Sequence, residues 1–208
     1  MSNPGTESRI TTLEALAALY GQPSGAAILK EAPRLTVPYR KIIEASPFFS
    51  LATSGPGGLD CSPRGDAPGF VRVLDDKTLA ITDRRGNNRT DSLSNIIHDP
   101  RVALLFLIPG VSETLRVNGR AEIRIEPELL ASFEVNGKLP RSVLVVRIES
   151  VYFQCAKSIT RSRLWDPASQ PVRASLPTAG QMVAAMVSDF DSASYDAAAP
   201  ARHKAELY

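Results

Sequence analysis

The chain has 208 residues, 43% of them hydrophobic and 22% charged, with a formal net charge of +2. That length carries one sizeable core, and so weak a net charge excludes a global field that would draw the protein to nucleic acid or to a membrane. Two cysteines, Cys61 and Cys155, and two histidines, His98 and His203, exclude a disulfide framework and a Cys- or His-rich metal centre.

The first element is a helix. Thr11-Thr12-Leu13-Glu14 reads as a capping box with Thr11 as its cap, Leu13, Leu16, Ala17 and Tyr20 form one apolar stripe, and Gly21 ends it. A second helix starts near Pro38 and stops before Ser46-Pro47. The pattern then turns to strands. Phe48 to Thr53 and Leu59 to Ser62 flank a Ser-Gly-Pro-Gly-Gly turn, and Phe70 to Leu74 and Thr78 to Thr82 make a second hairpin across Asp75-Asp76-Lys77. A polar loop, Asp83 to Thr90, leads into a short helix from Asp91 to His98, capped by Thr90 or Asp91. Val102 to Ile108 is an apolar strand, too short to span a membrane. Glu113 to Ile125 is a longer strand, with Gly119 placed to bend it. A helix over Glu126 to Phe133 and a strand over Val143 to Cys155 follow. A small helix at about Thr178 to Val187 precedes a loose or partner-wrapped tail rich in Ala, Ser and Asp.

Six or seven strands in hairpins predict a mainly β, antiparallel split barrel with short flanking helices. The expected organisation is a single domain over 1–208, with a helical extension at 1–37 and a helix and tail at 168–208. The opening MSNPGTESR lacks a basic stretch followed by an apolar one. With two thiols expected to be reduced, the expectation is a cytoplasmic protein with no membrane or nucleic-acid partner.

Three segments carry cations. Asp83 to Ser92 packs Arg84, Arg85, Arg89, Asn87 and Asn88 around Gly86 ahead of a helix start. Guanidinium forks and helix-terminal amides are what a phosphate needs, although a solvated turn has the same composition. Ser62-Pro63-Arg64-Gly65-Asp66 points an arginine into the same pocket or pairs it with Asp66. Lys157, Arg161 and Arg163 precede the chain's single tryptophan, Trp165, as a lid for a planar anion or as a basic surface with an anchored ring. No GxGxxG, GxxxxGK[ST] or GxSxG motif is present, and His98 sits where a helix end favours it.

In order, Ser-Pro-Arg-Gly-Asp, Thr-Asp-Arg-Arg-Gly-Asn-Asn-Arg, Leu-Phe-Leu-Ile-Pro-Gly and Glu-Thr-Leu-Arg-Val-Asn-Gly-Arg-Ala resemble the pyridoxamine 5′-phosphate oxidase-like FMN-binding family over residues 40 to 167. The Cys-Ala-Lys-Ser, Arg-Ser and Leu-Trp pieces resemble a bacterial branch of it. The resemblance implies a split-barrel homodimer with two FMN molecules in its interface. It implies that Arg64, Thr82, Asp83, Arg84, Asn87, Asn88 and Arg89 hold the flavin phosphate and that Thr114 lies near the ring. Lys157, Arg161, Arg163 and Trp165 would reach the partner's flavin. The phosphate loop here is Gly-Asn-Asn-Arg, where pyridoxamine phosphate oxidase itself has Ser-Arg-Lys, and its C-terminal Arg-Leu-His element is not evident. The expected activity is therefore FMN-dependent oxidoreduction of another small molecule, with no catalytic acid or base identified. A non-catalytic flavin-sensing module, a deazaflavin (F420) reductase and a ligand-free barrel are the alternatives.

Overall fold

A computed structural model describes residues 9–23, 25–84 and 86–206. The chain divides into two compact units, Met1–Glu31 and Ala32–Tyr208. In the first, α1 (Leu13–Tyr20) and α2 (Gly25–Leu29) are short, and no residue of either is buried. The cap of α1 is Thr12, one residue later than the sequence pattern predicts: its extended backbone lets the hydroxyl accept from the Ala15 amide at 3.2 Å. Glu14 thus falls in the first turn, where it faces the positive end of the helix dipole. Gly21, at φ 69°, stops the helix as expected.

The second unit opens with α3 (Val37–Ala45), capped by Thr36 with Pro38 in its first turn. Seven strands follow: β1 (Phe48–Gly55), β2 (Gly58–Gly65), β3 (Val71–Asp75), β4 (Thr78–Asp83), β5 (Arg101–Leu107), β6 (Thr114–Arg124) and β7 (Ser142–Gln154). They form one antiparallel sheet in the order β2-β1-β5-β6-β7-β4-β3. The terminal strands β2 and β3 do not pair with each other, so the barrel is split. Between the strands lie α4 (Asp91–His98) and α5 (Pro127–Ser132). After β7 come α6 (Lys157–Ser162), two single 3₁₀ turns, α7 (Ala179–Ala184) and α8 (Ser192–Glu206).

Alternation builds the core. On β1 and β5 every second residue is buried, and Phe49 and Phe106 meet at 5.1 Å between ring centroids. Ile43 of α3, Leu51, Leu79, Ile81, Leu104, Leu115 and Val117 complete a dry interior. Each such side chain contributes about 1.5–3 kcal/mol by leaving water. The ladder between β6 and β7 shifts register between Asn118 and Gly119. A Cβ at Gly119 would lie 2.2 Å from the Arg147 carbonyl oxygen, so only glycine lets the two backbones approach there.

Two sequence expectations change. The second strand runs on through Pro63 and Arg64 to Gly65 rather than ending at Ser62. As an edge strand it tolerates a proline, whose missing N–H lies on the unpaired side. The tail, expected to be loose or wrapped on a partner, forms α8 and is fastened to α7 rather than loose. The Thr178 hydroxyl donates to the Asp196 carboxylate, and the Gly180 amide donates to it at 2.8 Å. Alanine is the strongest helix former, so a stretch that looked featureless is intrinsically helical. Thr178 and Gln181 form a reciprocal capping box on α7. No helix among the described residues is long and apolar enough to cross a membrane.

Candidate functional site

The split end of the barrel carries a polar strip. Cross-strand neighbours share a face of the sheet, and β1 pairs Phe49 with Arg64, Leu51 with Ser62 and Thr53 with Asp60. Phe49, Leu51 and Thr53 point inward, so Asp60, Ser62 and Arg64 do too, beneath α4. The Asn95 amide donates to the Thr53 hydroxyl at 3.1 Å and fixes the helix there. Ser92, buried in the first turn of α4, donates to Asp60 at 2.6 Å, and Ser62 donates to the same carboxylate at 2.9 Å. The Ser92 bond first, then Ser62 and the nearby Arg64 charge, hold Asp60 below the usual carboxylate range.

Arg64 donates to the Ser92 hydroxyl at 3.3 Å and to the Pro63 carbonyl at 3.0 Å. It does not take Asp66 as its partner. Asp66 pairs with Arg84 at 2.9 Å, in a bridge whose side chains are only 12% and 16% exposed. Arg84 also donates to the Phe133 carbonyl at 3.2 Å. Arg84 thus lines the cavity while its guanidinium is engaged within the protein.

Thr82 and Asp83 end β4, which pairs with β7 so that Asp83 stands opposite Ser142. Burial pushes the Asp83 carboxyl above its ordinary range, against the pull of Arg64 and Arg141. In the loop beyond, Asn88 has a left-handed backbone at φ 62°, a conformation asparagine tolerates better than most residues. Its side-chain oxygen accepts from Arg141 at 2.6 Å. The Asn87 oxygen accepts from the Arg89 amide at 3.0 Å, and Arg89 itself, largely exposed, pairs with Asp91. Arg85 lies outside the described residues.

Arg64, Thr82, Asp83, Arg84, Asn87, Asn88 and Arg89 all line one cavity of about 520 Å³, within the size range of small-molecule pockets. An adjoining cavity of about 350 Å³ shares Pro63, Arg64, Asn87 and Arg89 and extends to Asp60 and Asp91. The sequence reading missed Arg141 and Ser142, which also line the first cavity. Ser142 opens β7 and Arg141 precedes it, some fifty residues past the loop, and only the β4–β7 register, invisible in a single sequence, brings them in.

The remaining expected residues lie elsewhere. Thr114 is buried at the start of β6, opposite Gln154 on β7, and lines neither cavity. Lys157 and Arg161 are exposed on α6. Arg163, left-handed at φ 52°, pairs with Asp166 at 2.6 Å, and the Trp165 ring nitrogen donates to the Val111 carbonyl at 2.7 Å. This segment is pinned to the connection between β5 and β6, outside the cavities of its own chain. Cys61 and Cys155 are free thiols, and no group of three or more potential metal ligands occurs among the described residues.

The family model described as pyridoxamine 5′-phosphate oxidase matches residues 35–155. No curated protein matches the chain. Among solved structures, the chain is similar to HupZ of Group A Streptococcus, at 19% identity over 57% of this chain and 93% of that one, with a TM-score of 0.47. It is also similar to a protein related to general stress protein 26 from Clostridium acetobutylicum (12% identity, 57% of this chain and 86% of that one, TM-score 0.42). A third is an FMN-binding protein from Syntrophomonas wolfei subsp. wolfei (14% identity, 69% of this chain and 97% of that one, TM-score 0.43).

Proposed function

We infer that this chain, which belongs to the pyridoxamine 5′-phosphate oxidase family, binds FMN by its phosphate and serves as a flavin-dependent oxidoreductase. The observation that carries the reading is convergence. A protein with a net charge of only +2 brings Arg64, Arg89 and Arg141 from three separate stretches of chain to one cavity of about 520 Å³. Two of these guanidinium groups donate to neutral acceptors, Ser92 and Pro63 for Arg64 and Asn88 for Arg141, so both retain charge to offer a dianion. Thr82 and Ser142 add hydroxyls on the cavity wall, and Asn87 and Asn88 add amides.

The residues present fit the phosphate end of the cofactor. Arg64 and Arg141 would grip it from opposite sides, Arg89 would close over it after exchanging Asp91 for phosphate, and Arg84 would hold the wall through Asp66. When bound, FMN supplies the hydride chemistry and the protein supplies orientation and electrostatics.

The outward face of β2, β1 and β5 supports a homodimer. It presents Cys61 and Pro63, then Ser50 and Ala52, then Ala103 and Leu105, as register neighbours. Small and apolar side chains there leave a flat surface suited to a second copy. In such a dimer, Lys157, Arg161 and Trp165 would serve the partner's flavin, and Thr114 would stand beside the ring.

The purified protein should be yellow or take up added FMN stoichiometrically, with reduction of the bound flavin by NADH or NADPH as the activity readout. A colourless protein that fails to quench FMN fluorescence ends this reading. A bound flavin that no nicotinamide donor reduces leaves only the binding half.

A further inference from the structure

Asp83 is a poor choice for an anion site. It lines the cavity, it is largely buried, and a phosphate dianion placed between Arg64 and Arg141 would stand beside its carboxylate. Like charges in a partly buried site strongly disfavour each other unless a proton separates them. We propose that Asp83 determines the specificity of the cavity: one proton, taken from solvent, is shared between its carboxyl group and an oxygen of the bound phosphoryl group. The inference rests on the phosphate-binding reading above.

The surroundings support such sharing. Among the described residues, Arg64 of β2 and Arg141, one residue before β7, are the charges that act on Asp83. Arg84 is turned to Asp66, and Arg89 to Asp91, so neither neutralises it. Burial already raises the proton affinity of the carboxylate in the empty cavity. An arriving dianion engages the two arginines and adds its own negative charge, and both effects favour the proton further.

The consequence is chemical selectivity. A phosphate monoester has a second pKa of about 6 and accepts such a proton readily, whereas sulfate remains unprotonated near neutral pH. Asp83 therefore admits phosphate monoesters and repels sulfate of the same size and shape. The sign of the pH dependence follows by linkage. Binding raises the number of bound protons, so affinity is highest on the acid side. It falls by up to about tenfold per pH unit as the medium becomes more alkaline than the shared site can match.

The test is calorimetric titration of the full-length protein with FMN at about pH 7.5, above the second phosphate pKa of about 6, in two buffers of different ionisation enthalpy. Uptake of about one proton by the wild type, and little or none by a folded Asp83→Asn variant, supports the proposal. Competition adds a second arm: inorganic phosphate should displace FMN at least about tenfold better than sulfate from the wild type, and the two should act alike on Asp83→Asn. FMN binding by the wild type with no proton uptake overturns the role of Asp83 and leaves the flavin reading intact. Absence of FMN binding overturns both. The wild-type measurement stands alone even where the variant fails to fold.

Discussion

Two arginines five residues apart should fail in opposite ways when each is replaced by alanine. Arg84 bridges Asp66 at 2.9 Å, with 16% and 12% of the two side chains exposed, and it also satisfies the Phe133 carbonyl. Removing it takes a guanidinium away from a nearly buried carboxylate and a donor from the Phe133 carbonyl. Breaking one side of a buried ion pair costs about 3–5 kcal/mol; the residual exposure here places the expected loss at the lower end, about 3 kcal/mol. For a domain of this size that lowers Tm by roughly 6–12 °C. Arg89 is 78% exposed and, among the described residues, paired only with Asp91, an arrangement that contributes little to stability. Its replacement should leave Tm unchanged but weaken FMN binding roughly tenfold or more. The assays are thermal unfolding by circular dichroism and FMN titration by fluorescence quenching. An Arg84→Ala protein as stable as the wild type would refute the division between a wall residue and a ligand residue. So would an Arg89→Ala protein with unaltered FMN affinity.

Gly119→Ala places a methyl group 2.2 Å from the Arg147 carbonyl oxygen. Overpacking of this kind costs about 1–3 kcal/mol and should lower the unfolding midpoint in urea, whereas Gly57→Ala in the open β1–β2 turn should not. Asp83→Asn should stabilise the ligand-free protein near neutral pH. The folded carboxyl holds its proton longer than the unfolded one, so wild-type stability declines as pH rises above the ordinary aspartate value of 3.8. The gain in Tm should vanish below that value, and a variant less stable at neutral pH would contradict the electrostatic account. Asp196→Ala removes the acceptor for Thr178 and Gly180. Limited proteolysis should then clip the chain between α7 and α8 while the melting of the barrel is unaltered.

The parts of the fold that were legible in the sequence are those governed by local chemistry. The two early hairpins, the helix from Asp91 to His98 and the bend at Gly119 follow from turn residues, capping and alternation within short windows. Arg64, Thr82, Asp83, Arg84 and Asn87 to Arg89 share a cavity, because the strand–loop–helix segment that carries most of them is continuous. Arg141 escaped notice because its place depends on β7 lying beside β4, a pairing between strands distant in sequence. Cap choice between Thr11 and Thr12 turned on one backbone conformation. The C-terminal helix was missed because an Ala, Ser and Asp tract has neither an apolar stripe nor a strong cap.

The cavity is drawn from the edge strand β2, the end of β4, the loop before α4, and Arg141 and Ser142 where β7 begins. Those pieces are distant in sequence and meet through the pairings of the order β2-β1-β5-β6-β7-β4-β3. An occupant therefore acts as a clasp on the finished molecule: at a hundredfold excess over Kd it adds about 2.7 kcal/mol to the folded state. A chain from which that occupant is withheld would open more often by the same factor and expose its segments to proteases accordingly.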